Sequence, residues 1–396
     1  MKIIALNRVC PICGALQGKF LEHISMTVPQ YFTVAGSYDV VACCECGFVY
    51  ADVVGKQENY NSYYANYNNY SALSDLKENI YDKICDERVK FLEKYLKKEY
   101  KILDIGCGAG DLLKKLKKRG YCNLFGIDPS DNSIRVLNDS GIAGCVGNIF
   151  DEVPLGLENS FDVVLCTAVM EHIYDLRQAI LQLKKYINKQ SGKIYIDVPA
   201  VEGFDKYITP IPNYFNHEHI NYFSLNSLDN LLNENGLSRV NSETESYYLY
   251  ETKTKIKEMV LQGLYEESEN VSVIKDDVSA EIVEKYFTII QEKNNLKVKK
   301  IKENISEDKK LVIWGTGALA MWLIQRAPDI KEKIICFLDN NKEKQGTYFC
   351  EKPICGSEVL LKMDQEVTIV ICSMQSSEEI VNQIVEMNLK NEYFVL

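Results

Sequence analysis

Histidine is scarce in this chain of 396 residues, and three of its four copies fall where strands of one sheet are predicted to end. His217 and His219 flank a carboxylate in the tripeptide His-Glu-His, and His172 follows Glu171. Because imidazole titrates near neutral pH, it is the side chain best suited to take up or release a proton there. The pattern therefore predicts general acid–base chemistry. The candidate catalytic residues on this ground are His172, His217, Glu218 and His219.

A metal site on the same tripeptide is the competing interpretation. Catalytic zinc sites need three ligands that converge on one ion, and adjacent residues such as His217, Glu218 and His219 rarely do so. Proton transfer is therefore preferred for this segment.

Four cysteines near the amino terminus form two Cys-x-x-Cys pairs about 30 residues apart, and a glycine follows each pair. This spacing is typical of structural zinc sites, in which four thiolates surround the ion tetrahedrally and leave no open position. We predict a zinc ribbon over residues 1–50, in which Cys44 takes no part. The alternative is a set of unligated thiols. The predicted Zn²⁺ ligands are Cys10, Cys13, Cys43 and Cys46.

A second concentration of chemistry lies at Lys101–Gly110, where an apolar run ends in a carboxylate and three alternating glycines follow. The run predicts a buried parallel strand, and residues 111–119 predict a helix whose positive end faces the turn. Glycine lets the backbone pass close to a ligand, and the next two predicted strands end at the same sheet edge. The candidate cofactor-binding residues at this edge are Asp104, Gly106, Cys107, Gly108, Gly110, Asp128, Asn148 and Ile149.

Strand and helix patterns alternate from residue 76 to residue 250, which predicts a doubly wound parallel sheet. The segment 51–75 is rich in tyrosine, and we predict an ordered lid that presents aromatic faces and hydroxyls to a polar substrate. Residues 251–310 combine Lys and Glu with one apolar stripe, which predicts a helical linker. The predicted fold class is α/β, with the ribbon before a central Rossmann-like domain and a small Rossmann-like α/β domain at 311–396.

The predicted domain at 311–396 has a glycine turn of its own, Gly315-Thr-Gly317, and its next strand ends in Asp339. With Ala320, these residues pass for a dinucleotide fingerprint, which raises an oxidoreductase as an alternative. About 86 residues, however, supply only one mononucleotide half and a further strand. We therefore expect a domain that holds the nucleotide of a substrate or packs against the lid.

The composition narrows the class of partner. A formal net charge of −11 disfavours nucleic acid and anionic membranes as the main partner. Apolar runs fall well short of the roughly 20 residues of a membrane span, and no secretion signal is recognisable. Fourteen cysteines without such a signal favour a reducing compartment, so we predict a cytoplasmic protein with a small-molecule substrate.

The spacing Asp-x-Gly-x-Gly-x-Gly from Asp104 to Gly110 resembles motif I of class I S-adenosylmethionine (SAM)-dependent methyltransferases, and the later segment Val-x-Glu-His also resembles that superfamily. The resemblance runs from about residue 80 to residue 240. It implies that SAM is the cofactor, with Asp104 at its methionine end and Asp128 on its ribose hydroxyls. Asn148 and Ile149 would then frame the adenine.

The whole arrangement, from the ribbon to the carboxy-terminal nucleotide fold, resembles the nucleotide-sugar C-methyltransferases. Their segment Tyr-His-Glu-His, followed by Tyr-Phe-Ser, is implicated in removing a proton next to a keto group. In this chain Asn216 replaces the first tyrosine, which leaves a hydroxyl acceptor open beside a carbon acceptor. The residues that match the pattern of that family are His172, Glu218, His219, Tyr222 and, as the lid tyrosine, Tyr70.

The resulting hypothesis is a SAM-dependent methyltransferase that acts on a nucleotide-linked sugar or glycan precursor, with His219 or Glu218 as the base. The first alternative is an RNA methyltransferase, since some of these also carry a zinc ribbon, but the basic residues of this ribbon are balanced by acidic ones. The second is a nucleotide-binding scaffold without chemistry, which explains the glycines but not the histidines. Formation of S-adenosylhomocysteine with an acceptor distinguishes the enzyme from the scaffold.

Overall fold

The computed structural model describes residues 2–26, 32–67, 78–209, 211–248, 257–269, 273–304, 309–363, 367–373 and 376–396. The chain divides into two compact units, the first made of most of residues 1–286 and the second of most of residues 287–396. Among the described residues, no helix has both the length and the apolarity needed to cross a membrane.

The strands, in chain order, are β1 Ile3–Ala5, β2 Gln17–Ser25, β3 Ser37–Cys43, β4 Val49–Asp52, β5 Lys101–Ile105, β6 Asn123–Asp128, β7 Ala143–Val146, β8 Val163–Thr167, β9 Lys193–Pro199, β10 Asn221–Tyr222, β11 Leu237–Tyr248, β12 Lys257–Glu267, β13 Leu311–Trp314, β14 Ile334–Leu338, β15 Tyr348–Phe349, β16 Lys352–Cys355, β17 Thr368–Ile371 and β18 Tyr393–Val395. The helices are α1 Gln57–Tyr67, α2 Glu78–Leu92, α3 Asp111–Lys118, α4 Asp131–Asp139, α5 Leu176–Lys184, α6 Ile211–Tyr214, α7 Leu225–Asn233, α8 Ser279–Asn304, α9 Ala318–Arg326, α10 Pro328–Lys331 and α11 Ser377–Glu386. Short 3-10 turns lie at Met170–His172, Val201–Gly203 and Ser357–Lys362.

The first unit is built on a seven-stranded sheet in the order β11-β12-β9-β8-β5-β6-β7. The strands from β5 to β9 pair in parallel, and β5 lies at the centre of these five, where Ile102 and Leu103 are fully buried. Winding reverses between β5 and β8, so the carboxyl ends of these two strands flank the crevice in which doubly wound sheets bind ligands. The buried strand predicted within Lys101–Gly110 and the helix predicted over residues 111–119 are confirmed as β5 and α3, and the predicted doubly wound parallel sheet is confirmed with them.

The prediction of one helical linker over residues 251–310 is wrong. Lys257–Glu267 is strand β12, which pairs with β11 on one side and β9 on the other. The middle of the strand, from Val260 to Tyr265, is buried, while the charged residues that suggested a helix lie at its two ends. The predicted helix begins only at Ser279, as α8.

The amino-terminal sheet has the order β1-β2-β3-β4-β10, and all its pairs are antiparallel. Its last strand, Asn221–Tyr222, follows the His-Glu-His segment closely and pairs with Val49 and Tyr50 of β4. The segment predicted as a separate ribbon at 1–50 therefore shares its sheet with the candidate catalytic segment. The predicted lid includes helix α1, and its residues 68–75 lie outside the described part of the chain.

The second unit has a sheet of its own, in the order β15-β16-β14-β13-β17-β18. All neighbours run parallel except β15 and β16. Numbered along the chain from β13, the parallel strands lie in the order 3-2-1-4-5, which is the arrangement of doubly wound nucleotide-binding sheets. The unit is thus larger than the one mononucleotide half and a strand expected from its length.

Candidate active site

The glycine turn after β5 uses its glycines for two different purposes. At Gly106, φ is 76° and an added Cβ would lie 2.5 Å from Val169 Cγ2, so this glycine lets the loop after β8 pack against the turn. At Gly108 an added Cβ would meet nothing within 4 Å, so this position faces open space. Helix α3 begins directly after the turn, which brings the positive end of the helix to the same place.

Asp104, in β5, is a buried carboxyl group with an unused oxygen. It is 1% exposed, and its Oδ1 has no hydrogen-bond partner among the described residues. Burial raises the pKa of Asp104 to about 8, although the nearby Arg88 opposes the shift. Such a group is well suited to receive a cationic group from a ligand, because a buried polar atom without a partner is costly.

Asp128, at the end of β6, is bound to the glycine turn. Its Oδ2 accepts a hydrogen bond from the Gly108 N–H at 2.8 Å, and its Oδ1 accepts one from the Ser130 N–H at 2.9 Å. Burial raises the pKa of Asp128 against the effect of these two bonds. A carboxylate has about four acceptor positions, so Asp128 retains lone pairs for the hydroxyl groups of a ligand.

The remaining residues predicted to bind cofactor contact the protein itself. Cys107 and Ile149 are buried in the hydrophobic core, and Gly110 packs closely against helix α4. Asn148 donates a hydrogen bond to Asp151 Oδ1 at 2.7 Å. Contacts of these four residues with a cofactor stay predictions.

The structure brings His172 and His219 together. Their ring centroids lie 4.8 Å apart in an edge-on arrangement, and the Ile220 N–H donates to the Glu171 carbonyl oxygen at 2.9 Å, which joins the two loops. Burial lowers the pKa of His172 to about 4 and the pKa of His219 to about 3. Both imidazoles are therefore neutral at pH 7, which is the form that accepts a proton.

Glu171 forms a compact group with these two histidines. One ligand atom of each residue lies within 4.8 Å of those of the other two. Glu171 is 2% exposed, its Oε2 has no partner among the described residues, and burial raises its pKa well above the ordinary value. The competing metal interpretation named His217, Glu218 and His219, whereas the structure groups a different carboxyl with His219. The group as it stands is a carboxyl group with a raised pKa beside two neutral imidazoles.

Two tyrosines of helix α1 bring hydroxyls to the histidine segments. Tyr63 Oη donates to Glu218 Oε1 at 2.7 Å and lies 3.0 Å from His217 Nε2. Tyr64 Oη lies 2.9 Å from His172 Nδ1. Sequence reasoning assigned both tyrosines to a lid but did not include them in the site, because a polar helix without an apolar stripe gives no signal for the direction it faces.

Asn216 shapes the loop that carries the His-Glu-His tripeptide. Its Oδ1 accepts hydrogen bonds from the N–H groups of Glu218 and His219, both at 2.7 Å. Side-chain bonds of this kind to the following backbone are a common role of asparagine in turns. Asn216 therefore fixes the backbone of the loop, while Tyr63 brings a hydroxyl to Glu218.

The hydroxyl of Tyr222 contacts the amino-terminal sheet. Tyr222 is 2% exposed, and its Oη donates to Tyr38 Oη at 3.3 Å. Tyr38 in turn donates to the Asn216 carbonyl oxygen at 2.8 Å. This geometry favours a supporting role for Tyr222, through the histidine loop, over direct contact with a substrate. Tyr70, predicted as the lid tyrosine, lies outside the described residues.

Arg8, two residues before Cys10, is a functional candidate that sequence reasoning missed. Its guanidinium donates to the carbonyl oxygens of Ile173 at 3.1 Å and Ile220 at 3.2 Å, and to Asn221 Oδ1 at 3.0 Å. Ile173 directly follows His172, and Ile220 directly follows His219. One buried cation therefore ties both histidine loops to the amino-terminal sheet. No sequence signal marks it, since an arginine near a cysteine pair is ordinary.

A buried ion pair fixes the ends of β8 and β9. Arg88 of α2 binds both carboxylate oxygens of Asp197, and Asp197 Oδ1 also accepts the Ala168 N–H at 2.9 Å. Ala168 has φ of 51°, a left-handed conformation that costs free energy for a residue with a side chain. The hydrogen bond to Asp197 therefore holds Ala168 in this strained conformation two residues before the turn Met170–His172.

The cysteines of the two Cys-x-x-Cys pairs meet in the amino-terminal sheet. Their sulfur atoms all lie within 4.8 Å of one another, with Cys10 and Cys46 at 3.6 Å and Cys13 and Cys43 at 3.5 Å. Four sulfurs at about 2.3 Å from one zinc ion would be about 3.8 Å apart, so the cluster has the size of a tetrahedral thiolate site. Cys44 is not part of this group.

Comparison with known proteins agrees with the fold of the first unit. Residues 76–242 match a family model described as "Methyltransferase domain", and residues 307–394 match one described as "C2185-like, N-terminal". The mitochondrial ubiquinone biosynthesis O-methyltransferase of Homo sapiens is 30% identical over 155 residues, which are 35% of this chain and 41% of that protein. The ribosomal protein L11 methyltransferase of Dictyoglomus thermophilum is 31% identical over 110 residues, 27% of this chain and 35% of that protein.

The chain thus spans less than half the length of these two relatives. A solved SAM-dependent methyltransferase from Methanosarcina mazei is similar at 17% identity with a TM-score of 0.37, over 46% of this chain and 98% of that one. On the evidence of the family model and the two named relatives, residues 76–242 form a SAM-dependent methyltransferase domain of class I.

Proposed function

We propose that this protein transfers the methyl group of SAM to a sugar that is carried on a nucleotide or forms part of a glycan precursor. The observation that carries the proposal is the cluster of three histidines and Glu218, to which two tyrosines of α1 add hydroxyls. The cluster adjoins the donor turn, because Val169, three residues before His172, packs against Gly106.

The donor side fits SAM by the chemistry of its residues. Asp104 offers an unpartnered, buried carboxyl oxygen to the α-ammonium of the cofactor, and Asp128 offers lone pairs to the ribose hydroxyls. Open space at Gly108 leaves room for a ligand against the turn. SAM supplies an electrophilic methyl group when it is bound, and the protein has to hold that group in line with the acceptor.

The acceptor side supplies a base. Methylation of oxygen requires loss of a hydroxyl proton, and methylation of carbon requires loss of a proton beside a keto group. His219 suits this role as a neutral imidazole, and Glu218 is the alternative base. The hydroxyls of Tyr63 and Tyr64 suit a polar acceptor rich in hydroxyl groups. Methylation of oxygen and methylation of carbon both stay open, because Asn216 stands where the C-methyltransferases have a tyrosine.

The acceptors named for the relatives are not carried over to this chain. The matched domain begins at residue 76, whereas α1 and most of the amino-terminal sheet, which supply Tyr63, Tyr64 and Arg8, precede it. The matched domain thus contains the proposed base, whereas the residues of the acceptor side that come from α1 and from the amino-terminal segment lie outside it. A net charge of −11 further favours a small molecule over a nucleic acid.

We also propose that Cys10, Cys13, Cys43 and Cys46 hold a structural Zn²⁺. The spacing of the four sulfurs fits the ion, and three of the four cysteines are buried. Because β4 pairs with β10 and Arg8 binds both histidine loops, the ion would stabilise the acceptor side from a distance. None of the fourteen cysteines forms a disulfide bond, which fits a reducing compartment such as the cytoplasm.

Zinc removal tests this second assignment. Treatment with a chelator should release one zinc ion per chain and abolish turnover while SAM still binds at the donor turn. Calorimetry of SAM binding before and after treatment separates the two effects. Full turnover in a metal-free protein would remove the structural role.

An acceptor screen tests the main proposal. The protein is incubated with SAM and a panel of keto- and hydroxy-sugar nucleotides, and S-adenosylhomocysteine is measured by mass spectrometry. We expect release that depends on an acceptor of this panel. Release that requires RNA or a non-sugar phenol instead would contradict the proposed substrate class.

His219→Ala tests the base. Turnover should fall by about 100-fold or more, because general base catalysis contributes that much, while SAM affinity is unchanged. His23→Ala is the matched control, since His23 lies exposed on β2 and pairs with Asp39. Exchange of a sugar C–H proton with deuterated water in the absence of SAM marks carbon methylation, and turnover without such exchange marks oxygen methylation.

A further inference from the structure

The second unit contains a half-open cavity of about 350 Å³, lined by residues that have no role in the proposed methyl transfer. Its walls come from the carboxyl ends of three strands: Trp314–Gly317 after β13, Asp339 and Asn340 after β14, and Cys372 and Ser373 after β17. Winding of the sheet reverses between β13 and β17, and doubly wound sheets bind ligands at such a point. The volume lies within the range of small-molecule sites, near its lower end.

The turn that forms one wall leaves its second glycine open to the cavity. At Gly315, φ is 112° and an added Cβ would lie 2.4 Å from the Cys372 carbonyl oxygen, so this glycine allows β13 and β17 to close together. At Gly317 an added Cβ would meet nothing within 4 Å. Helix α9, nine residues long, begins immediately after, and its positive end suits an anion such as phosphate.

Asp339 provides the second feature, a carboxylate at the end of the strand that follows the turn. It accepts hydrogen bonds from the Thr316 hydroxyl, from the Asn341 N–H at 3.0 Å and from Lys344 Nζ at 2.9 Å. Burial alone would raise the pKa of Asp339, but these donors outweigh it and lower the pKa, so the group is ionised. A carboxylate in this place accepts sugar hydroxyls in nucleotide-binding sheets, and Lys344, 47% exposed, adds a cation at the rim.

Trp314 provides a third, independent feature. It lines the cavity, is 1% exposed, and its indole N–H has no partner among the described residues. A buried hydrogen-bond donor is rarely left without an acceptor in a native protein, and a bound ligand can supply that acceptor. Apolar surface from Leu319 and Ile380 in the same cavity suits the face of a base.

We infer that this cavity binds a nucleoside 5′-diphosphate, with the phosphates at the glycine turn and helix α9 and the sugar hydroxyls on Asp339. The inference rests on the second unit alone and does not depend on the proposed methyl transfer. The nucleotide has two possible sources, a free nucleoside diphosphate or the nucleotide part of a sugar acceptor, and both present the same chemistry.

Tryptophan emission of the full-length protein tests the inference directly. The two tryptophans of the chain, Trp314 and Trp322, both lie in the second unit, so emission reports on this site without any turnover. Titration with ADP, GDP, UDP and dTDP should give a saturable change with at least one of them. Saturation with none of the four would overturn the inference, whatever the outcome of the acceptor screen.

Three variants make the test specific. Asp339→Asn should weaken nucleotide binding about tenfold or more, because a charged acceptor is lost. Gly317→Val places a side chain in open space at an ordinary φ of −91°, so it should keep the fold and block the cavity. Asp329→Asn is the control, since Asp329 pairs with Lys302 outside the cavity, and its affinity should stay within about twofold of wild type. Unchanged binding by both Asp339→Asn and Gly317→Val would overturn the site.

Competition distinguishes the two sources. If the nucleotide of the acceptor binds here, the nucleotide sugar displaces the nucleoside diphosphate, and Asp339→Asn raises the KM for the acceptor about tenfold with little change in kcat. If a free nucleotide is the ligand, it is not displaced and the KM is unchanged. Both results support the site and differ only in what fills it.

Discussion

The chain contains two strand–turn–helix segments of the same design, one after β5 and one after β13. In each, the first glycine packs against a residue that follows the fourth strand of its parallel sheet: Gly106 against Val169, and Gly315 against Cys372. In each, a later glycine, Gly108 or Gly317, opens onto space that an added Cβ would not fill. Both next strands end in an aspartate. Glycines and an aspartate together therefore form a turn that can bind a ligand, but they do not determine the chemical class of that ligand.

The two turns differ at the position two residues before the first glycine. The first turn has Asp104 there, buried and with an unused oxygen, while the second has Ile313, fully buried among apolar side chains. A carboxyl at this position suits a cationic ligand such as SAM. Because Ile313 brings no carboxyl to the second turn, the positive end of helix α9 and the Lys344 ammonium favour a phosphate there. Under the two proposals, the strand residue two positions before the first glycine sets the charge of the ligand that each turn binds.

Ile313→Asp should have the largest effect, because it copies the acid of the first turn into the second without any partner for it. Burial of an unpaired carboxyl should lower the free energy of unfolding by about 4 kcal/mol. Urea unfolding followed by tryptophan emission measures this, since both tryptophans lie in the second unit. Ile313→Val is the control, with an expected loss of about 1 kcal/mol. Equal losses for the two variants would mean that the second turn tolerates an acid, and the comparison would fail.

Gly315→Ala should rank second. Its Cβ would collide with the Cys372 carbonyl oxygen, and the left-handed backbone at Gly315 adds strain, so we expect a loss of about 3 kcal/mol. Gly106→Ala instead meets the end of the Val169 side chain, which can change rotamer, and should lose about 1.5 kcal/mol. Urea midpoints from tryptophan emission for the second unit and from circular dichroism for the first give the two values. A larger loss at Gly106 would reverse the order and contradict the expectation that a side chain yields to an added Cβ more easily than a backbone carbonyl does.

Asp104→Asn should weaken SAM binding by about 10- to 100-fold, because the ammonium of the cofactor loses its charged acceptor. Isothermal titration calorimetry measures the affinity, and Asp339→Asn serves as the counterpart, with SAM affinity expected within about twofold of wild type. The reverse pattern, in which only Asp339→Asn affects SAM, would exchange the ligands assigned to the two turns.

Local pattern was sufficient to predict both turns. The strand, the glycines, the helix and the aspartate of the next strand lie within about 30 consecutive residues, so each turn is a signal contained in one stretch of chain. Strand β5, helix α3 and the strand before Asp339, β14, followed from that signal. The position of Asp104 and Asp128 beside the first turn could therefore be predicted from sequence, while their contact with a cofactor stays a prediction.

Contacts between distant segments could not be predicted in the same way. Strand β10 has two residues and pairs with β4 from about 170 residues away, so no periodicity marks it. Arg8, Tyr63 and Tyr64 reach the histidines only through tertiary packing, and the charged ends of β12 concealed its buried middle. The histidines were found because of their rarity, but the groups that hold them were not.

The pH dependence of binding is the smallest expected effect and separates the two turns most directly. Burial raises the pKa of Asp104 to about 8, so the carboxyl of the free protein is protonated at pH 6 and has to release its proton to bind a cation. SAM affinity should therefore rise about tenfold between pH 6 and pH 7 and level off near pH 8, where the α-ammonium of the cofactor begins to lose its own proton.

Asp339 provides the contrast, because its pKa is lowered and the carboxylate is ionised over the whole range. Nucleotide binding at the second turn should thus lack the rise that SAM binding shows at the first. Asp104→Asn, which has no proton to release, should bind SAM equally at pH 6 and pH 7 when calorimetry is done at matched ionic strength. If wild-type SAM affinity is also flat over that range, Asp104 is already ionised in the free protein, and the unused oxygen is not what distinguishes the first turn from the second.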